Sequence, residues 1–166
     1  MAESDPTPPT VVSAPDGTDR LWVSEWYRIA PQTFEHFELF FQPDAVYAVF
    51  AEESFKSLLL RRDGRNRAAR EVGSRALTAS ADRLLDDERS FGIPITEITA
   101  VRTVPGSLLA KPTLTVDTTT TEHTFHHSSR RYDVDGLRRR LGRLYEDAGF
   151  DVTAASRDWM GRLRGE

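Results

Sequence analysis

Apolar positions follow strand spacing through much of the chain and helical spacing in a few places, and the two patterns divide it into elements. "LWVSEWYRI" mixes Leu21, Val23, Trp26 and Tyr27 with polar residues and fits either a strand or a short helix. Pro31 then opens "PQTFEHFELFF", where Phe34, Phe37, Leu39, Phe40 and Phe41 leave a largely apolar stripe, so the spacing predicts a helix over 31–41 stopped by Pro43 and Asp44. In "AVYAVFAEE" both alternating sets are apolar, which predicts a strand at 45–50 covered on both faces. A helix follows at 54–72, with Phe55, Leu58, Leu59, Ala69 and Val72 inward and Gly73 as its end.

From there the pattern is that of hairpins. "ALTASADRLL" suggests a turn at Ala81 and Asp82, "DDERSFGIPI" a second near 87–89, and "ITEITAVRTV" is the strongest strand of the chain. Residues 105–112 form a loop with Leu108 and Leu109 at its tip beside Lys111. "TLTVDTTTTEHTFHH" reads as a β-hairpin with Leu114 and Val116 inward and a turn at 117–121; its threonines suit a pleated surface. The closing helix, 135–148, has Asp133 or Asp135 as N-cap and Leu137, Leu141, Leu144, Tyr145 and Ala148 on one face. Gly149 is placed to end it, with Phe150 as a contact beyond. Such a one-sided helix must cover a sheet or another apolar face.

The order of a strand at 45–50, hairpins over 76–104 and 113–127 and a final amphipathic helix resembles the pleckstrin-homology-like (PH-like) superfold, in its bacterial, archaeal and GRAM-like forms. The resemblance covers about 44–149 and rests on "ALTASADRLL", on the I-P-x-x-x-I-x-x-V spacing within "IPITEITAVRTV", and on "LTVDTTTTEHTF" leading into "DVDGLRRRLGRL". It implies a mainly β fold with helices (α+β): a PH-like β-barrel or bent antiparallel sheet capped by the C-terminal helix. Domains of this kind are often membrane-peripheral or protein-binding modules. No inositol-phosphate pattern of lysines and arginines carries over to this chain. The helical, basic segment at 51–74 departs from the usual direct hairpin, and 20–43 has no counterpart in the minimal fold.

Length sets one domain of 20–150, with an N-terminal helical embellishment and the basic helix near 54–72. Residues 1–19, rich in Pro, Ser, Thr and Asp, read as a disordered leader, and 151–166 as a tail or short helix. The absence of cysteine excludes disulfides, thiolate metal sites and a cysteine nucleophile. No signal-peptide pattern and no apolar run of about eighteen residues occurs, so the expected compartment is the cytoplasm, with peripheral membrane contact as an addition. Net charge is -4, with ten acids against three bases in residues 1–60 and sixteen against nineteen in 61–166. That imbalance is too small to demand a nucleic-acid partner.

Catalytic chemistry finds no foothold. There is no G-x-S-x-G, H-E-x-x-H or G-x-x-x-x-G-K sequence, and Ser107 and Lys111 are four apart rather than the three of S-x-x-K. His123 and His127 on one strand would lie roughly 13 Å apart, too far for one metal ion. No enzyme activity, cofactor or metal is therefore expected. The binding candidates are the basic run Arg61, Arg62 and Arg65, the helix arginines Arg138, Arg139 and Arg143, and the tip Leu108, Leu109 and Lys111. If the two arginine runs fold side by side they make an anion-attracting patch. Glu71, Glu146 and Asp147 neutralise them if they do not. Trp22, Trp26, Trp159 and Met160 suggest extensions that pair with each other or with a second copy. The expected role is non-catalytic binding, of another protein first. Anionic membrane comes second, nucleic acid third and a small hydrolase activity last.

Overall fold

The computed structural model describes residues 7–55 and 62–155, with side chains from 68 onward in the second stretch. The chain divides into two compact units, 1–95 and 96–166, and among the described residues the fold is mainly β with three α-helices.

The first unit is an antiparallel meander of five strands in sequence order. They are β1 (Thr10–Ser13), β2 (Asp19–Ile29), β3 (Thr33–Phe41), β4 (Ala45–Phe55) and β5 (Phe91–Pro94). Helices α1 (Arg62–Ala76) and α2 (Ala81–Leu84) lie between β4 and β5. Cross-strand pairing puts Trp22, Phe40 and Tyr47 in one transverse row ending at Gly92, and a side chain at Gly92 would crowd the Tyr47 ring. Trp22, Phe40, Ala45, Tyr47, Val49, Leu77 and Leu84 form one buried cluster, with Val72 and Ala76 of α1 packed against it. The alternate positions Phe37, Leu39 and Phe41 are also buried, and Phe37 meets Phe50 and Phe91 edge-on. β1 falls within the stretch read as a leader, and Thr10 pairs with Trp22 in the sheet.

The second unit has the strand order β8-β7-β6-β9, made of β6 (Ile98–Val104), β7 (Thr113–Thr118), β8 (Glu122–His127) and β9 (Asp151–Ala154). β9 runs parallel to β6, and α3 (Val134–Leu144) packs on both. Val134, Leu137, Leu141 and Tyr145 are the buried side of α3, and Tyr145 tilts against the Phe150 ring. The Asp133 carboxylate accepts from the Gly136 amide at 2.9 Å and so caps the helix, as its sequence position requires. The turn between β7 and β8 is closed by Thr118, whose hydroxyl accepts from the Thr120 and Thr121 amides and donates to the Thr121 carbonyl.

Several expectations need correction. Residues 33–41 are a strand, not a helix: His36 to Phe41 are all buried, and a run covered on both faces shows no strand alternation to read. Pro31 lies in the β2–β3 turn, closed by the Ala30 amide donating to the Thr33 carbonyl. The helix expected at 54–72 begins at Arg62 and runs through Gly73 to Ala76; 56–61 lies outside the described residues. The turn expected at 81–82 is the helix α2, capped by Ser80. "IPITEITAVRTV" is broken by a 3-10 turn at Ile95–Glu97. The helix expected over 135–148 ends at Leu144 with Tyr145 as C-cap, four residues before Gly149, which has φ 84°. The sheet is open rather than closed into a barrel.

Candidate functional site

Leu108 and Leu109 are 91% and 93% exposed, far beyond any other large apolar side chain among the described residues. They are held out by an ordered turn. The Ser107 amide donates to the Ala110 carbonyl at 2.8 Å, and the Leu109 amide to the Ser107 hydroxyl at 3.3 Å. The base of the loop is tied to the next strand by the His127 amide donating to the Pro112 carbonyl.

Gly106 marks the tightest point of that base. A Cβ there would stand 2.3 Å from the Arg130 carbonyl oxygen and 2.9 Å from Pro112 Cδ, so only glycine lets the two segments meet. Gly106→Val is expected to cost about 1–3 kcal/mol of stability through that overlap. Denaturant titration checks it, and an unchanged midpoint would mean that the two segments are not in contact.

The same contact joins the base of the loop to a basic segment. Arg130 and Arg131 are exposed, and Arg130 lies against the loop base through its carbonyl. Lys111 is half-buried at the end of the loop. Residues 105–112 and 126–132 together carry these three bases and no acid. The exposed leucines thus top a loop whose base meets the segment carrying Arg130 and Arg131, a basic collar at that base.

The other candidates are dispersed. Arg138 is drawn back to Asp135 at 3.5 Å, while Arg139 and Arg143 are exposed on α3. Arg62 and Arg65 lie in α1 with side chains outside the described residues, as is Arg61 altogether. The two arginine runs thus belong to different units. Arg70, from the same basic run, pairs with Glu25 at 2.9 Å. Trp22 and Trp26 are fully buried within the chain's own fold rather than presented at a surface, and 159–163 lies outside the described residues. His127 is buried, on the same strand face as Phe125, and stacks on Tyr132 at 3.9 Å. Among the described residues no three His, Asp or Glu side chains gather as a metal site.

Two polar centres escaped the sequence reading. Arg102 and Asp117 form a two-pronged ion pair at 2.7 and 2.9 Å across β6 and β7; that bond holds the arginine's proton more firmly than usual. Asp117, expected within the turn at 117–121, lies in β7. The second centre is Glu38 on β3, fully buried. Its Oε1 accepts from the Ser24 hydroxyl at 2.6 Å and the Trp22 indole at 3.2 Å, and its Oε2 from the Glu25 amide at 3.3 Å. Burial pushes its pKa up to about 8 against those three hydrogen bonds, with the nearby Glu25 charge adding to the rise. The visible signal was an acid inside "FEHFELFF", an otherwise apolar run.

No protein-family model matches the chain, and no curated protein does.

Proposed function

We propose that the chain is a non-catalytic binding module that attaches to an anionic membrane surface through the Leu108–Leu109 tip. The observation that carries this is the pinned loop, which exposes two adjacent leucines almost completely and whose base meets the segment carrying Arg130 and Arg131. An exposed apolar pair on an ordered turn gains nothing in water. Removing both leucines from it offers about 3–6 kcal/mol, and each base near a negatively charged leaflet adds about 1 kcal/mol. A protein groove would take the same leucines without requiring the basic collar, which is why the membrane is preferred to a protein partner.

The fold is read, within the same proposal, as PH-like. Support comes from the succession β6, β7, β8 and α3, with the helix laid on β6 and β9. Superfold likeness carries no activity with it, so the function rests on the tip.

Co-sedimentation with vesicles tests the reading. Binding is expected with vesicles containing phosphatidylserine and not with purely neutral ones, and it weakens as salt rises because the collar is screened. Absence of binding to anionic vesicles at low salt would overturn the membrane reading and return the tip to a protein groove.

A further inference from the structure

Glu38 sits beneath the last turns of α1 rather than in a loose corner of the core. Gly73 lies so close over it that a Cβ would stand 2.6 Å from Glu38 Oε1 and 2.5 Å from the Trp22 indole nitrogen. A glycine within a helix costs about 1 kcal/mol relative to alanine. Here it brings helix backbone directly onto a carboxyl group.

The strand beneath is shaped to the same point. The β2–β3 register shifts between Val23 and Trp26, and Glu25, a residue with a side chain, takes φ 72°. That bulge is where the Glu25 amide meets Glu38 Oε2, while the Glu25 carboxylate pairs with Arg70, three residues before Gly73 on α1. Among the described residues the charged groups at this contact are Glu25 from β2 and Arg70 from α1, already paired, and Arg20 of β2, which donates to the Ala76 carbonyl at the end of the helix; β4 sets Val49 opposite Glu38. Among the described residues no cation bonds Glu38 itself. The neutral acid fits this setting: a hydroxyl accepts as readily as it donates, so Ser24 can take the bond from a protonated Glu38. A carboxylate would be a buried charge without a counterion.

We infer that the final turns of α1 form a proton-operated latch: neutral Glu38 holds the helix on β2 and β3, and loss of its proton to solvent favours release, exposing the Trp22 strip. With the helix docked Glu38 is held up at about 8 by burial, and with the helix released it returns towards the ordinary carboxyl value of 4.5. A raised pKa in the closed form means that closure is favoured most at low pH. That advantage is lost as pH climbs from the lower value through the higher one. The opening equilibrium then rises by up to about tenfold per pH unit between about pH 5 and about pH 8 and levels off above.

Amide hydrogen exchange of the full chain, corrected for the intrinsic effect of pH on the chemical rate, measures this opening. Residues 69–76 are expected to show that rise and plateau, amides of β7 and β8 to stay flat, and Glu38→Gln to remove the dependence in α1. A flat wild-type profile, an equal rise in β7 and β8, or the same rise in Glu38→Gln would overturn the latch. Should that variant not fold, infrared spectroscopy of the wild type decides. The band of a protonated carboxylic acid is expected to persist to about pH 8, and its absence at neutral pH would sink the proposal.

Discussion

Replacing Arg20 with methionine is expected to lower stability by about 3–5 kcal/mol, one of the largest losses any single position should give. Arg20 is 1% exposed, and its guanidinium joins three segments. Nε donates to Gln42 Oε1 at 2.7 Å, and Nη1 reaches the carbonyls of Ala76, Leu77 and Ala79 at 3.4, 3.0 and 2.6 Å. A helix leaves its last carbonyls without internal partners, and here a buried strand arginine supplies them at the end of α1. Methionine fills much of the volume but removes the donor to Gln42 and to the Leu77 and Ala79 carbonyls, at about 1–3 kcal/mol for each acceptor left buried and unsatisfied, while the Ala76 carbonyl keeps the Ala79 amide at 2.9 Å. Lysine keeps the charge and loses the fork, so it should fall between the two. Thermal unfolding reads the difference as a drop of roughly 10 °C for methionine. A loss below about 1 kcal/mol would mean that water reaches those carbonyls once the guanidinium is gone.

The second large effect is on binding. Leu108→Asp with Leu109→Asp is expected to weaken attachment to anionic vesicles at least about 100-fold, since the two leucines supply about 3 kcal/mol or more of the attachment and the new charges are repelled. Folding should change by no more than about 0.5 kcal/mol, because both side chains stand in solvent. That separation is the useful feature: lost binding with unchanged stability assigns the tip to contact, and lost stability would assign it to packing.

Elements were legible in the sequence where one face met water. α3 could be read because its buried Leu137 and Leu141 lie at helical spacing behind an Asp133 cap, with arginines outward. The β7–β8 hairpin was legible for a different reason, its β-branched threonines and polar turn, since Thr113 to Val116 are all buried; Asp117 belongs to the strand and not the turn. β3 was not. Its phenylalanines fall at helical intervals by coincidence of a fully buried run, and burial on both faces erases the alternation that separates strand from helix. Gly73 misled in another way. It reads as a stop signal, yet it continues α1 because its missing side chain admits Trp22 and Glu38.

The candidate site divides along similar lines. A loop with Leu108 and Leu109 at its tip was legible between Pro105 and Pro112, but local spacing fits leucines tucked back over the fold as well as leucines held out in solvent. Its basic collar was not, because Arg130 reaches the loop only through a backbone contact at Gly106, some twenty-four residues earlier in the chain. The grouping of Trp22, Ser24, Glu25 and Glu38 depends on a β-bulge and a strand register, neither of which local spacing encodes.

The account turns on whether the tip enters a lipid surface, and the cysteine-free chain makes that directly measurable. A single cysteine at position 108, carrying an environment-sensitive fluorophore, reports the polarity at the tip, with a cysteine at the exposed Arg75 as the reference. Anionic vesicles should shift the emission of the label at 108 to shorter wavelength and protect it from an aqueous quencher, leaving the label at 75 unchanged. Vesicle binding with the label at 108 still fully open to the quencher would contradict insertion of the tip and the function built upon it.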